Sequence, residues 1–197
     1  MDTYAKDLQG AIAQVDQQGV CGWVVDLFDN EGGNMWPGLT GIGPLLGADS
    51  DDRDDQIPGV VGYFADVDGE EIPWRYHHGV TYWGEEPVVA VPEPYTVSDP
   101  EAQIVVLMGS RTHSSGEALA ISLTGRPNTR TFGFPTAGTP SAMFDVTLSD
   151  DALMGIAAAT MADRTGHVYD PVGSLIPDQE GSKLDAIAWL LAQPACQ

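Results

Sequence analysis

The sequence predicts an α/β fold with a largely parallel, buried sheet flanked by helices, plus β-hairpins. Three observations carry that prediction. The runs Gly22–Leu27 (GWVVDL) and Ile104–Met108 (IVVLM) are short and apolar, as strands covered on both faces are. Segments of helical period alternate with strand-like runs along the chain. No internal repeat and no long linker divides the 197 residues, so residues 1–197 read as one domain with room for a sizeable core.

The elements follow in order. Tyr4, Leu8, Ile12 and Val15 recur at three- and four-residue spacing and predict an amphipathic helix over roughly the first 18 residues. The strand from Gly22 is broken by Asn30-Glu31-Gly32-Gly33-Asn34. Met35 to Leu46 reads as a helix weakened by Pro37 and Gly38. Gly59–Ala65 and Ile72–Tyr76 form a hairpin pattern around Asp68-Gly69. Val88–Val91 is a short strand, bounded by prolines. After the strand of Ile104, a helix runs from about Ser115 to Leu123 and stops at Gly125-Arg126-Pro127-Asn128. Thr129–Phe134 is the next strand. Met143–Leu148 and Leu153–Ala159 form a second hairpin around Ser149-Asp150-Asp151. Leu184, Ile187, Ala188 and Leu191 mark a closing helix.

Charge excludes some functions. The formal net charge is −21, with eight Lys plus Arg. Nucleic acid and anionic membranes both need a basic face, so neither is an expected partner. No apolar stretch is long enough to span a bilayer. The opening MDTYAKDLQG lacks a basic and apolar leader, and the expectation is a soluble, cytoplasmic protein. The acidic run Ala48–Asp55 reads as a solvated loop, because it lacks the spacing of a calcium loop. Such an acid excess also suits a salty habitat. Cys21 and Cys196 fit no zinc motif. Cys21 reads as a small buried hydrophobe opening a strand, with a bridge to Cys196 as the alternative.

Two junctions share one pattern: apolar strand, small-residue turn, helix. They are VVDLFDNEGGN and IVVLMGSRTHSSGEALA. Glycine lets backbone N–H groups approach a ligand closely. A helix N-terminus adds unpaired N–H groups and partial positive charge. Two such junctions side by side can aim two N–H groups at one oxygen, which is what an oxyanion hole requires. Ser114 with Glu117 three residues on also fits a plain capping box.

GWVVDLFDNEGGNMWP resembles the strand-plus-glycine motif of the S41 peptidases, the tail-specific or C-terminal processing proteases. SRTHSSGEALA is similar to their nucleophile segment, GRPNTRTFGFPTAG to the strand and turn that follow, and MADRTGHVYDPVGSLIPD to their terminal motif. Four motifs stand in order along nearly the whole chain. The resemblance implies a ClpP/crotonase-like core and a hydrolase that needs no cofactor. It makes Ser114 the nucleophile, with Gly33 and Ser115 supplying the oxyanion N–H groups. Gly32, Gly116 and Thr139 complete the expected substrate-binding set.

The resemblance departs at the general base. Tail-specific proteases carry a lysine after the Pro-Thr-x-Gly turn; here the turn is Pro135-Thr136-Ala137-Gly138 and Thr139 follows. A tricorn-like branch uses an upstream histidine, which has no counterpart here, and no PDZ domain is visible. His113, beside Ser114, and His167, in the terminal motif, are the candidate bases; His77 and His78 are weaker ones. A base from a second subunit or from a segment outside the chain is the remaining source. Trp36, Tyr63, Trp74, Tyr76, Tyr82 and Trp83 are candidates for a substrate cleft, with core packing favoured for Trp36 and Trp74. The expected function is cleavage of a peptide or small ester through an acyl-enzyme. The alternative is a degraded hydrolase that only binds extended peptides. A crotonase-type lyase is weaker, because no basic pocket suggests coenzyme A.

Overall fold

The computed structural model describes residues 2–47 and 59–197. The acidic run Ala48–Asp55 lies outside the described residues. Helix α1 spans Asp2–Asp16, strand β1 Gly22–Asp26 and helix α2 Met35–Ile42, which tightens into a 3-10 turn over Gly43–Leu45. Then come β2 (Val60–Asp66), β3 (Glu71–His77), β4 (Val80–Trp83), β5 (Glu86–Ala90) and β6 (Gln103–Met108). Helix α3 (Ser115–Leu123) is followed by β7 (Thr129–Gly133), β8 (Ser141–Thr147), β9 (Leu153–Asp163) and β10 (Gln179–Glu180), and α4 (Lys183–Leu191) closes the fold.

The two apolar runs pair in parallel, Val24 opposite Val105 and Val25 opposite Val106. They belong to a four-stranded parallel sheet in the order β1-β6-β7-β10. Both faces are covered, as the lack of alternation predicts. On one face Ile104, Val106 and Met108 join the main core with residues of α2 and α3. On the other, Val105, Leu107 and Phe132 meet Ala186 and Leu190 of α4.

The two predicted hairpins do not stay separate. β2 pairs antiparallel with β9, setting Phe64 opposite Met161. This joins both hairpins, β2–β3 and β8–β9, into one six-stranded antiparallel sheet, β5-β4-β3-β2-β9-β8. β4, absent from the sequence reading, and β5 extend it beyond β3. The main core holds Leu39, Leu46, Val61, Trp74, Tyr76 and Ile121, all almost fully buried. Helix α3 touches β6 of the first sheet and β2 and β9 of the second.

Three expectations need correction. The buried face of α1 is Ala5, Gln9, Ile12 and Asp16, while Tyr4 and Val15 point outward. The polar members are drawn in by partners: Gln9 Nε2 donates to Thr40 O at 2.7 Å, and Asp16 accepts from Tyr95 and Ser98. Cys21 is not a free buried thiol but is bridged to Cys196, 175 residues away in sequence. α4 packs so closely over the start of β1 that a Cβ on Gly22 would sit 2.8 Å from Leu190 Cδ1, and this brings the C-terminal residues to Cys21. Finally, Trp74 is fully buried, but Trp36 is only partly so and faces a cleft.

Candidate active site

Because β1 and β6 are parallel neighbours, the turns that leave them emerge at the same end of the sheet. One turn leads to α2 and the other to α3. Backbone bonds join them: His113 N–H donates to Asn30 O at 2.9 Å. Thr112 Oγ1 donates to Leu27 O at 2.9 Å and accepts from Gly109 N–H at 2.9 Å. Contact this close leaves no room for side chains. A Cβ at Gly116 would lie 2.6 Å from Asn30 O, and one at Gly32 would lie 3.0 Å from His113 O, where φ is already +102°.

Ser114 stands at the start of α3 with φ 51° and ψ −108°. For a residue with a Cβ this conformation costs on the order of 1–3 kcal/mol and persists only when its surroundings enforce it. Here the Ser114 N–H is shared between Glu117 Oε2 at 2.9 Å and Thr139 Oγ1 at 3.1 Å. Glu117 is fully buried. Its Oε2 also accepts from the Thr139 N–H and hydroxyl, both at 3.0 Å. Its Oε1 accepts from Gly138 N–H at 3.0 Å and from the Thr136 hydroxyl. Five donors thus satisfy one buried carboxylate, as burial of charge demands. They also clamp the serine turn to the turn after β7.

Ser114 opens onto a cleft of about 600 Å³. Gly33, Ser114 and Ser115 line it together. As the first residue of α3, Ser115 has an N–H with no partner inside the helix. The walls are largely apolar: Met35 and Trp36 from α2, Phe64 from β2, Trp83 from β4, and Met143 and Phe144 from β8. Asp66 and Glu70, from the β2–β3 hairpin, are the charged residues in that lining.

The predicted site residues separate into two groups. Gly33, Ser114 and Ser115 share the cleft. Gly32, Gly116 and Thr139 stand directly behind it, the glycines at the close contacts and Thr139 on the Ser114 N–H. The histidines lie elsewhere. His113 is exposed, engages the β1 turn through its backbone, and does not line the cleft. His167 lines a different cavity beside Thr124, Asp163 and Tyr169. There Asp163 accepts from the backbone N–H groups of Thr165 and His167 and from the Tyr169 hydroxyl, so it fastens a turn. Burial, followed by the nearby Asp163 charge, pushes the Tyr169 hydroxyl far above its usual titration range. His77 and His78 pack on each other at the end of β3, with ring centroids 4.0 Å apart. Arg164 donates to Leu46 O and Ser122 O and so holds α3 to the segment after α2.

Sequence reasoning missed three parts of this arrangement. It read Glu117 as a cap but not as the anchor for residues 136–139, whose approach depends on the path after β7. It missed the β8 wall, because nothing in local spacing places Met143 beside Ser114. It also missed Asp66 and Glu70, although the Asp68-Gly69 turn signal had located their hairpin.

Fold and site together define a class: an α/β protein of two sheets with a serine held at a helix start beside an apolar cleft. Comparison with known proteins narrows it. The model of peptidase family S41 matches residues 1–180, and the chain belongs to that family. It is 29% identical over 196 residues to the nisin-resistance protein of Lactococcus lactis subsp. lactis, covering 96% of this chain and 55% of that protein. The chain therefore spans about half the length of this curated relative. A lipoprotein from Streptococcus agalactiae superposes with TM-score 0.70 at 24% identity, over 96% of this chain and 60% of that one. The photosystem II D1 C-terminal processing protease superposes with TM-score 0.65 at 21% identity, over 100% of this chain and 45% of that one. These two likenesses are of fold. Family membership supports a peptidase function in general terms.

Proposed function

We propose that the chain carries the catalytic centre of a serine peptidase, in which Ser114 attacks a peptide or activated-ester carbonyl and forms an acyl-enzyme. The observation that carries this reading is one constellation. A strained serine at a helix start shares an apolar cleft with Gly33 and Ser115. Attack joins Ser114 Oγ to the carbonyl carbon, and the carbonyl oxygen becomes an oxyanion facing the N–H groups of Gly33 and Ser115. The Oγ proton passes to a base and then to the leaving amine or alcohol. Water repeats the sequence to release the acid.

Among the described residues, no histidine or lysine lines the cleft. Thr139 occupies the expected lysine position, and its hydroxyl is committed to Glu117. In this reading the proton acceptor comes from polypeptide outside this chain, either a further segment or a second copy. An activated ester needs less help from a base than an amide does, so ester turnover is the more sensitive assay.

The test is hydrolysis of a peptidyl nitrophenyl ester and the matching peptide. Ser114→Ala lowers ester kcat/KM by about 10³-fold or more if it removes a nucleophile. His113→Ala and His167→Ala stay within about threefold of wild type, since neither lines the cleft. Specific activity that rises with protein concentration would assign the base to a second copy.

A second reading is a peptide-binding module that has lost turnover. The threonine at the lysine position favours it. β8, the end strand of its sheet among the described residues, lies on the cleft and suits strand addition by an extended peptide. Ser114-independent peptide binding without turnover would support this reading.

A further inference from the structure

The cleft beside Ser114 has a charge asymmetry that family membership does not explain. Its lining contains Asp66 and Glu70 and, among the described residues, no Lys, Arg or His. Both acids belong to the β2–β3 hairpin, which also carries Asp68 and Glu71. Asp66 Oδ1 accepts the N–H groups of Asp68 and Glu70, each at 2.9 Å, so the turn is fixed and its carboxylates stand at one wall. Three cations outside the lining have partners of their own. Arg75 donates to Gly84 O and lies over the Tyr82 ring. Arg111 pairs with Asp29 and Glu31, and Lys183 pairs with Asp26. Apart from Asn34 and three serines, the rest of the lining is apolar and aromatic, including Trp36, Phe64, Trp83 and Phe144. The chain as a whole carries −21.

A ligand that complements these walls has an apolar or aromatic side chain with a cationic group beside it. Asp66 is half-buried and Glu70 exposed, so an anionic ligand meets like charge at this wall and is disfavoured. We infer that the substrates of this site are cationic peptides, with an apolar or aromatic residue held in the cleft and a Lys or Arg next to it facing Asp66 and Glu70. This inference rests on the peptidase reading of Ser114, but the carboxylates act on recognition and can be tested without turnover.

Three fluorescent peptides of equal length serve as probes, each with one central Phe flanked by Lys, by Ala or by Glu. Binding is measured by anisotropy to Ser114→Ala, and turnover is measured with wild type. The expected order is Lys, then Ala, then Glu. A Lys-to-Glu ratio of about tenfold or more is expected at low ionic strength, shrinking in 1 M salt, where screening acts over about 3 Å. Asp66→Asn with Glu70→Gln keeps the turn acceptor and brings the ratio to within about twofold of unity. Asp7→Asn with Glu93→Gln removes two charges that do not line the cleft and preserves the ratio. Equal binding of the Lys and Glu peptides overturns the inference. So does a Lys preference that survives the Asp66/Glu70 change, because the source is then the overall charge. Selective binding of the Lys peptide by a folded wild type whose Ser114 takes no fluorophosphonate label would retain the inference and reject the peptidase reading instead. Ser114-dependent turnover with no charge preference would do the reverse.

Discussion

At the scale of single residues, Glu117 decides whether the candidate nucleophile is held in place. It is buried without a cation, and five donors from residues 114, 136, 138 and 139 satisfy it. Glu117→Ala leaves three backbone N–H groups and two hydroxyls without that acceptor. Each orphaned buried donor costs about 1–3 kcal/mol, and partial relaxation lowers the sum. We expect a loss of about 2–4 kcal/mol, read as a shift in the urea midpoint at unchanged slope. Gly116→Ala tests the other contact. Its Cβ would meet Asn30 O at 2.6 Å, so the two turns must separate. We expect about 1–3 kcal/mol of destabilisation and a larger fractional fall in ester kcat/KM than in folded fraction. The S-x-x-E spacing already suggested a helix start at Ser114. It did not show that the same glutamate binds Thr136 and Thr139, because that contact depends on how β7 returns to the sheet end.

At the scale of elements, helix α1 shows how periodicity and partners compete. The apolar repeat Tyr4, Leu8, Ile12, Val15 located the helix correctly but placed its buried face too far round. Gln9 and Asp16 bury instead, each meeting hydrogen-bond partners in another segment. Burial raises the Asp16 pKa, but bonds from the Tyr95 hydroxyl and from the Ser98 N–H and hydroxyl outweigh it, so the value ends below normal. A carboxyl whose folded pKa is depressed stabilises the fold above its unfolded value of about 4, and that contribution disappears as pH falls through the lower folded value. We therefore expect wild type to lose stability on acidification below about pH 4 more steeply than Asp16→Asn does. Chemical denaturation across pH 2–6 measures this. Equal slopes would mean that Asp16 does not fasten α1. The strands were more legible than the helix face. β1 and β6, with apolar residues at successive central positions, could only be covered on both sides, and both are. β4 was missed because Val80–Trp83 is four residues long and lies between glycines at 79 and 84.

At the scale of the whole molecule, sequence distance and spatial distance diverge most at the disulfide and at the cleft. The alternation of strands and helices indicated the parallel sheet. It could not indicate that β2 pairs with β9, some 100 residues later, or that this pairing builds the wall opposite Ser114. The Cys21–Cys196 bridge closes a loop of 175 residues, which in the chain-entropy account is worth up to about 5 kcal/mol. We expect dithiothreitol, or the Cys21→Ser/Cys196→Ser pair, to lower the thermal midpoint. We also expect the oxidised chain to gain 2 Da on reduction, the mass of two hydrogens in elementary arithmetic. Such a bridge persists in oxidising surroundings. Among the described residues, no helix is long and apolar enough to cross a membrane. Two sheets, two strand-to-helix turns and one buried glutamate thus converge on a single side chain, Ser114. The most direct test of that convergence is reaction with a fluorophosphonate probe, with the adduct mapped by peptide mass spectrometry. One adduct on Ser114 is expected, absent in Ser114→Ala and retained in Ser115→Ala and His113→Ala. A folded wild-type protein with no adduct, or with the adduct on another residue, would contradict it.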